Sequence, residues 1–328
     1  MISRASRIFV VLPMLVVLLV LVASAKVALA GSAMEMLAAG RIDDVIAVLN
    51  NRLPSSPAAD ANSSNLLCRA YYALEDWDQA QSSCEKAASL DPGNSRFHLW
   101  LGRVYGEKAD RANFLIAVGL ALKVREEFER AVDLDPQDVD ARLDLAEFYL
   151  SAPSIVGGGE QKARAQAQSI AARNPAREHW IYARIADQKK DPVTAEREYH
   201  EYIDLSQGDA EAWLNLALFL RHHKRFDEME QAILKLSQAP LPKPDVLVEA
   251  SEMLYRSHRN YPFAAELLQR YLAAGPVEAA PAFRAHYLLG TLLEKQGDKI
   301  GAAQEYRASL LLVRNFGIAQ QALSRVTH

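Results

Sequence analysis

Glycine and proline are scarce, 15 and 14 of 328 residues, too few for a fibrous or disordered chain. Runs of alternating β-branched residues are missing, and with them the usual signature of strands. No basic stripe with interleaved aromatics occurs and the formal charge is −4, which argues against nucleic acid as the main partner. There is no HExxH, CxxC, GxSxG or GxxxxGK(S/T), so the common signatures of metal, dithiol, serine and nucleotide-phosphate chemistry are all lacking. The eight histidines are scattered. His222 and His223 are adjacent, so on a helix they point about 100° apart and cannot share a metal; they read as a solvated helix end. Gly157-Gly158-Gly159 reads as a turn absorbing an insertion. The alternative is an anion held at a helix starting near Glu160, but no Lys-Ser or Lys-Thr pair follows to hold a phosphate. No catalytic residue, metal site or cofactor is expected.

What is present is apolar and helix-forming. Half of the residues are apolar, and the runs are rich in Ala, Leu, Glu, Arg and Gln. Length alone suggests roughly two domains, a count that a repeat array would override. At the start, Arg4 and Arg7 precede 18 uncharged residues from Ile8 to Ala25, with small-residue exits at Ala23-Ser24-Ala25 and Ala28-Leu29-Ala30. This is the pattern of a secretory signal peptide. An uncleaved anchor is the alternative, because about 18 apolar residues is near the minimum for a bilayer span. Either one exports the remainder of the chain, to the periplasm or beyond, or holds it at the outer side of a membrane. Membrane contact is expected only through residues 8–25, if they are retained. Loss of residues 1–30 would leave a formal charge of −7.

Asn62 to Pro92 reads as two short amphipathic helices joined by a tight turn. Leu67, Cys68 and Tyr71 share one face of the first; Ala80, Cys84 and Ala87 share one face of the second at i, i+4, i+7. Glu75-Asp76 make the turn, Trp77 covers it, and Pro92 ends the unit because it cannot continue a helical ladder. The unit recurs with a period near 34 residues. Leu101-Gly102, Leu145-Ala146, Leu216-Ala217 and Leu289-Gly290 repeat a large–small pair in the first helix, with Ser251-Glu252 in its place in the seventh unit. Ala80, Ala195 and Ala302 recur in the second helix. On these residues, positions 61–314 resemble a tandem tetratricopeptide-repeat (TPR) array. The resemblance implies an all-α solenoid of antiparallel helix pairs, A and B, wound in a right-handed superhelix. The expected organisation is a signal or anchor at 1–30, a partial first repeat at 31–57, about seven helix pairs over 58–314, and a capping helix at 315–328. Two insertions fall near 106–120 and 151–160. The first contains apolar Phe114 to Gly119 and is expected as extra helical turns, since an exposed apolar loop is costly. The capping helix would cover the apolar face that a terminal unit leaves bare.

In the TPR family the concave surface, lined by helix A, binds extended peptides. Carried over residue by residue, the resemblance implies a groove of Asn65, Arg69, Tyr72, Arg103, Arg177, Trp180, Arg184, Arg221 and Tyr287. Arginine beside tyrosine or tryptophan would suit a protein or peptide partner with carboxylates and apolar side chains. Local packing or plain solvation of these side chains is the alternative. The Lys-then-Asn pairing of TPR modules that clamp chaperone C-termini is missing. Cys68 and Cys84 either form a disulfide in an oxidising compartment or stand as two small buried residues. The expected function is an exported scaffold or adaptor in assembly of a cell-envelope complex. An accessory subunit for exported polysaccharide synthesis is the alternative, and an enzyme is disfavoured. Oligomeric state is left open. The crossing role assigned to Ala195 carries a test. Ala195→Leu should overpack helix B against helix A, cost about 1–3 kcal/mol and lower the melting temperature. An unchanged melt would show the register to be misplaced.

Overall fold

The computed structural model describes residues 33–51 and 56–327, so the signal or anchor pattern at 1–30 lies outside the described residues. Within them the chain is all-helical and forms a TPR-type solenoid. Helical residues 33–38 (α1) and α2 (Ile42–Asn50) make the first hairpin. Seven hairpins follow among the described residues. They are α3 (Pro57–Leu74) with α4 (Trp77–Leu90), α5 (Ser95–Arg111) with α6 (Phe114–Leu134), and α7 (Val139–Ser151) with α8 (Glu160–Ala171). Then come α9 (Pro175–Gln188) with α10 (Pro192–Leu205), and α11 (Ala210–His222) with α12 (Phe226–Gln238). The last are α13 (Val246–Arg256) with α14 (Tyr261–Ala274), and α15 (Ala282–Lys295) with α16 (Lys299–Leu312). A final helix, α17 (Gly317–Thr327), lies on α16. Among the described residues no helix is long and apolar enough to cross a membrane.

The tight turns have a common local cause. In six hairpins at least one residue between the helices takes a left-handed backbone: Gly40, Glu75, Lys190, Lys224, His258 together with Asn260, and Gly297. A polar side chain then caps helix B in most of these, satisfying an N–H that has no partner inside the helix. Asp191 accepts from Thr194 N–H at 3.1 Å and Asp298 from Gly301 N–H at 2.8 Å. The third and fourth hairpins depart from this turn because they carry the insertions. The first insertion is helical, as expected, but not because it is buried: Phe114 is 77 % and Leu115 82 % exposed. The second forms a 3-10 turn, Ser154–Val156, and Arg125 of α6 donates to its Val156 carbonyl at 3.1 Å. The second insertion therefore docks on α6, the helix that the first insertion extends.

Small residues sit where the helices cross. A Cβ at Gly102 would lie 2.5 Å from the Phe128 ring, and one at Gly290 2.7 Å from the Tyr306 ring. Ala80, Ala195 and Ala302 are fully buried. In the seventh hairpin Ser251 replaces the usual leucine, and its hydroxyl donates to the Ala264 carbonyl at 2.8 Å, so the buried oxygen is satisfied. Cys68 and Cys84 are bonded and tie α3 to α4, with their Cα atoms 5.1 Å apart.

The two ends of the array meet. Leu37, Ile42 and Val45 of the first hairpin form one core with Leu66 and Ala70 of α3, Phe283 of α15 and Val313. Polar contacts rim this core. Arg69 donates twice to the Glu278 carboxylate, Arg284 donates to the Ala73 carbonyl at 2.9 and 3.1 Å, and Arg314 N–H donates to Asp43 at 2.9 Å. Meanwhile α17 covers the other side of the last hairpin, where Ala322, Leu323 and Val326 join Ala302 and Tyr306. Gly40 is the tightest point of the closure. Its φ is +71° and a Cβ there would stand 2.7 Å from the Ala282 nitrogen. Gly40→Ala should therefore cost roughly 1–2 kcal/mol in backbone strain alone and part the two ends. Small-angle scattering should report a larger radius of gyration at unchanged helix content. A scattering curve identical to the parent's would refute the closing role of Gly40.

Candidate functional site

Closure turns the concave face of the array into a hollow. Two adjoining spaces of about 400 and 790 Å³ share Arg103, Asp140, Lys243 and Asp245 in their walls. Helices α5, α7, α9, α11 and α13 supply one side. The inter-helix segments around Pro242–Asp245 and Val277–Ala279 supply the other. A smaller space of about 190 Å³ lies beside it, between Trp180, Arg184 and Phe219.

Most of the residues expected in the groove are there. Arg69, Arg103, Arg177, Trp180 and Arg221 line the two large spaces, and Arg184 lines the small one. Three stand elsewhere. Tyr287 packs its ring against Tyr306 and Phe316, at 5.9 and 5.5 Å between centroids, in the cluster under α17. Asn65 is 5 % exposed, and its buried amide nitrogen has no acceptor. Tyr72 stacks edge-on to Trp77 and Trp100 and donates to Glu107 at 3.1 Å.

The chemistry expected of the arginines does not survive the geometry. Four of the five are already matched to a carboxylate of their own chain, and Arg221 makes no ion pair among the described residues. Arg103 of α5 pairs with Asp144 of α7 at 2.6 Å. Arg184 of α9 reaches Glu147 of α7, with Nε donating at 3.1 Å. Arg177 of α9 pairs with Glu211 of α11, and Arg69 with Glu278. A partner's carboxylates would have to displace these internal ones. For the arginines of α5 and α9 the physical reason is that A helices of adjoining units lie side by side, so an arginine on one meets an acid of its neighbour, whereas Arg69 meets Glu278 where the ends of the array close. Trp180 is held in the same way: its Nε1–H donates to Asn215 Oδ1 at 2.8 Å, and Asn215 donates to the Glu211 carbonyl at 2.8 Å.

Sequence reasoning missed the acidic side of the hollow. Asp140 and Asp144 on α7, and Asp245 and Glu249 at the start of α13, line it together with Glu211 and Glu252. A signal existed, since each of those two pairs has i, i+4 spacing and so shares a helix face. Burial pushes the Glu249 carboxyl up to about 7, and the charges of Asp245, Glu211 and Glu252 push it the same way. Water reaches this side chain through the hollow, yet protein surrounds it on most sides, which is how an accessible carboxyl is still poorly solvated. Burial also raises Asp245. Among the described residues no group of His, Cys, Asp and Glu is arranged to hold a metal ion.

A family model described as tetratricopeptide repeat matches residues 66–112 and 253–325. No curated protein matches the chain in sequence. Solved structures similar to it include a MamA protein, at 18 % identity over 61 % of this chain and 97 % of that one, with a TM-score of 0.36. A tetratricopeptide repeat protein from Parabacteroides merdae shares 14 % identity over 82 % and 99 %, with a TM-score of 0.38. The pilF structure of Pseudomonas aeruginosa shares 15 % identity over 82 % and 99 %, with a TM-score of 0.37.

Glu249 yields a pH test of the hollow. Its pKa is raised in the native state, so ionising it costs stability. That cost is absent below the unfolded value near 4.5 and grows as pH rises through about 7. Glu249→Gln removes the cost. The variant should be more stable than the parent at pH 8 by about 1 kcal/mol, a figure already reduced for water in the hollow. The two should melt alike near pH 4.5. A constant difference across this range would contradict the assignment.

Proposed function

We propose that this tetratricopeptide-repeat protein is a scaffold that holds an extended segment of another protein in the hollow formed by its A helices. The observation that carries the reading is the continuity of the two large spaces through Arg103, Asp140, Lys243 and Asp245. Together they make a channel-like groove with an apolar wall at Leu143, Trp180, Leu214 and Met253 and charged groups along its length. Such a surface suits a strand or loop with alternating side chains better than a small compact molecule. The role is one of binding without catalysis, because the charged groups of the wall are largely committed to ion pairs with one another.

The setting we infer is outside the cytoplasm, in assembly of a cell-envelope complex. Two observations support it. The sequence opens with two arginines and 18 uncharged residues, and a bonded pair such as Cys68–Cys84 belongs to oxidising compartments. A glycan strand is the second reading, favoured by the Trp180 ring on the wall of the hollow. It would make the protein an accessory subunit of polysaccharide export.

A photoreactive residue at Arg221 tests the reading in cells, with a control at Arg197 on the outward side of α10, where the side chain is well exposed. One protein captured from Arg221 and not from Arg197 is the expected outcome. Equal capture from both positions, or none from either, would overturn it. A glycan adduct from Arg221 would select the second reading.

A further inference from the structure

We propose that the end of the hollow between α9, α11 and α13 receives a basic side chain, lysine or arginine, from the bound segment. This rests on the groove-binding reading and states what the groove selects. The starting point is the charge that remains once internal pairs are set aside. Arg103, Arg177 and Arg256 are taken by Asp144, Glu211 and Glu252. Asp140, Asp245 and Glu249 line the same space and make no ion pair among the described residues. Asp245 Oδ1 is enclosed and has no hydrogen-bond partner. A buried acceptor without a donor is costly, and the residue that carries it stands in the wall of the hollow.

The charge is also polarised along the groove. Glu211, Asp245 and Glu249 stand at the start of α11 and α13, whereas Arg221 and Arg256 stand at the ends of the same helices. Glu211 and Arg221 are ten residues apart, or about 15 Å along a helix, so Arg221 does not neutralise the acidic end. Lys243 offsets part of it, since its charge lowers the Asp245 carboxyl and its Nζ is 4.0 Å from Glu211, but the side chain is about half exposed. The helix N-termini offset part of the negative charge without supplying the absent donor. Trp180, Leu214 and Met253 form the apolar wall beside these acids. A lysine or arginine stem would lie along that wall while its charged head meets the carboxylates. The site is thus the reverse of the carboxylate-binding groove that the arginines alone imply.

Binding should depend on pH through Glu249. The charged groups around it are Asp245, Glu252 and Arg256 on α13, Glu211 and Arg221 on α11, Arg177 on α9, and Lys243 in the segment before α13. Across the hollow are Asp140 and Asp144 on α7 and Arg103 on α5. A cation beside Glu249 favours its ionised form, so affinity should rise between about pH 6 and pH 8.

Random peptides displayed on phage and panned against the full-length chain test the inference. Binders with Lys or Arg fixed at one position are expected. Asp245→Asn combined with Glu249→Gln should weaken them about tenfold or more. Glu201→Gln, on the outer surface of α10, should leave them unchanged. Both hollow substitutions keep shape and remove repulsion, so the fold is retained. Binders without a fixed cation would overturn the inference while sustaining groove binding. Cationic binders weakened equally by Glu201→Gln would reveal attraction to net charge and also overturn it. Spermidine that binds more tightly than the selected peptides would reassign the site to a free amine. A panning that yields no binder at all would count against the groove-binding reading as well.

Discussion

A helix hairpin of this size cannot bury its own apolar face, so every unit depends on the units beside it. The constraint is hardest at the ends. Here it is met twice. The α17 helix covers the last hairpin with Ala322, Leu323 and Val326. The first hairpin finds its second neighbour at the far end of the chain, where Phe283 and Val313 complete the core begun by Leu37, Ile42 and Val45. The polar groups around that core are satisfied as well, by Arg69 with Glu278 and by Arg284 with the Ala73 carbonyl. Closure is thus a solution to burial before it is anything else.

Its effect on the binding face is direct. An array with separated ends offers its concave side to bulk water, whereas this one surrounds the A helices with protein. Water still enters, but carboxylates such as Glu249 become poorly solvated, and ion pairs such as Arg103–Asp144 form in a medium that screens them less than bulk water does. All of the groove arginines but Arg221 are spent on their own chain. What remains available to a partner is Arg221, the apolar wall at Trp180 and the acids that no arginine reaches.

Much of the fold was legible because it is written locally. The large–small pairs in helix A and the alanines in helix B recur in phase, and each has a steric cause that the structure displays at Gly102 against Phe128 and at Gly290 against Tyr306. The insertion at Phe114 was legible as helix for the wrong reason, since its apolar side chains are exposed rather than buried. The closure was not legible. Arg69 and Glu278 are 209 residues apart, and Asp43 and Arg314 are 271 apart, and no periodicity within a unit encodes such a pairing. The site was half legible for a related reason. Reading one A helix at a time located Arg103, Arg177 and Trp180, but the groups that answer them, Asp144, Glu211 and Asn215, sit 34 to 41 positions further on, in the next unit. Tyr287 illustrates the opposite error: the family position was carried over, but the presence of α17 makes it a packing residue.

An open stack of repeats behaves as a row of nearest neighbours, and the terminal members fray first because each has only one interface to lose. The core shared by the first hairpin, Phe283 and Val313 joins that row into a loop. No hairpin then has a free side, and separating any one of them from the rest means breaking two interfaces at once. Melting of such a loop is correspondingly more all-or-none than that of a linear array of equal length, and the unit that holds the chain's beginning is no easier to detach than one in its middle.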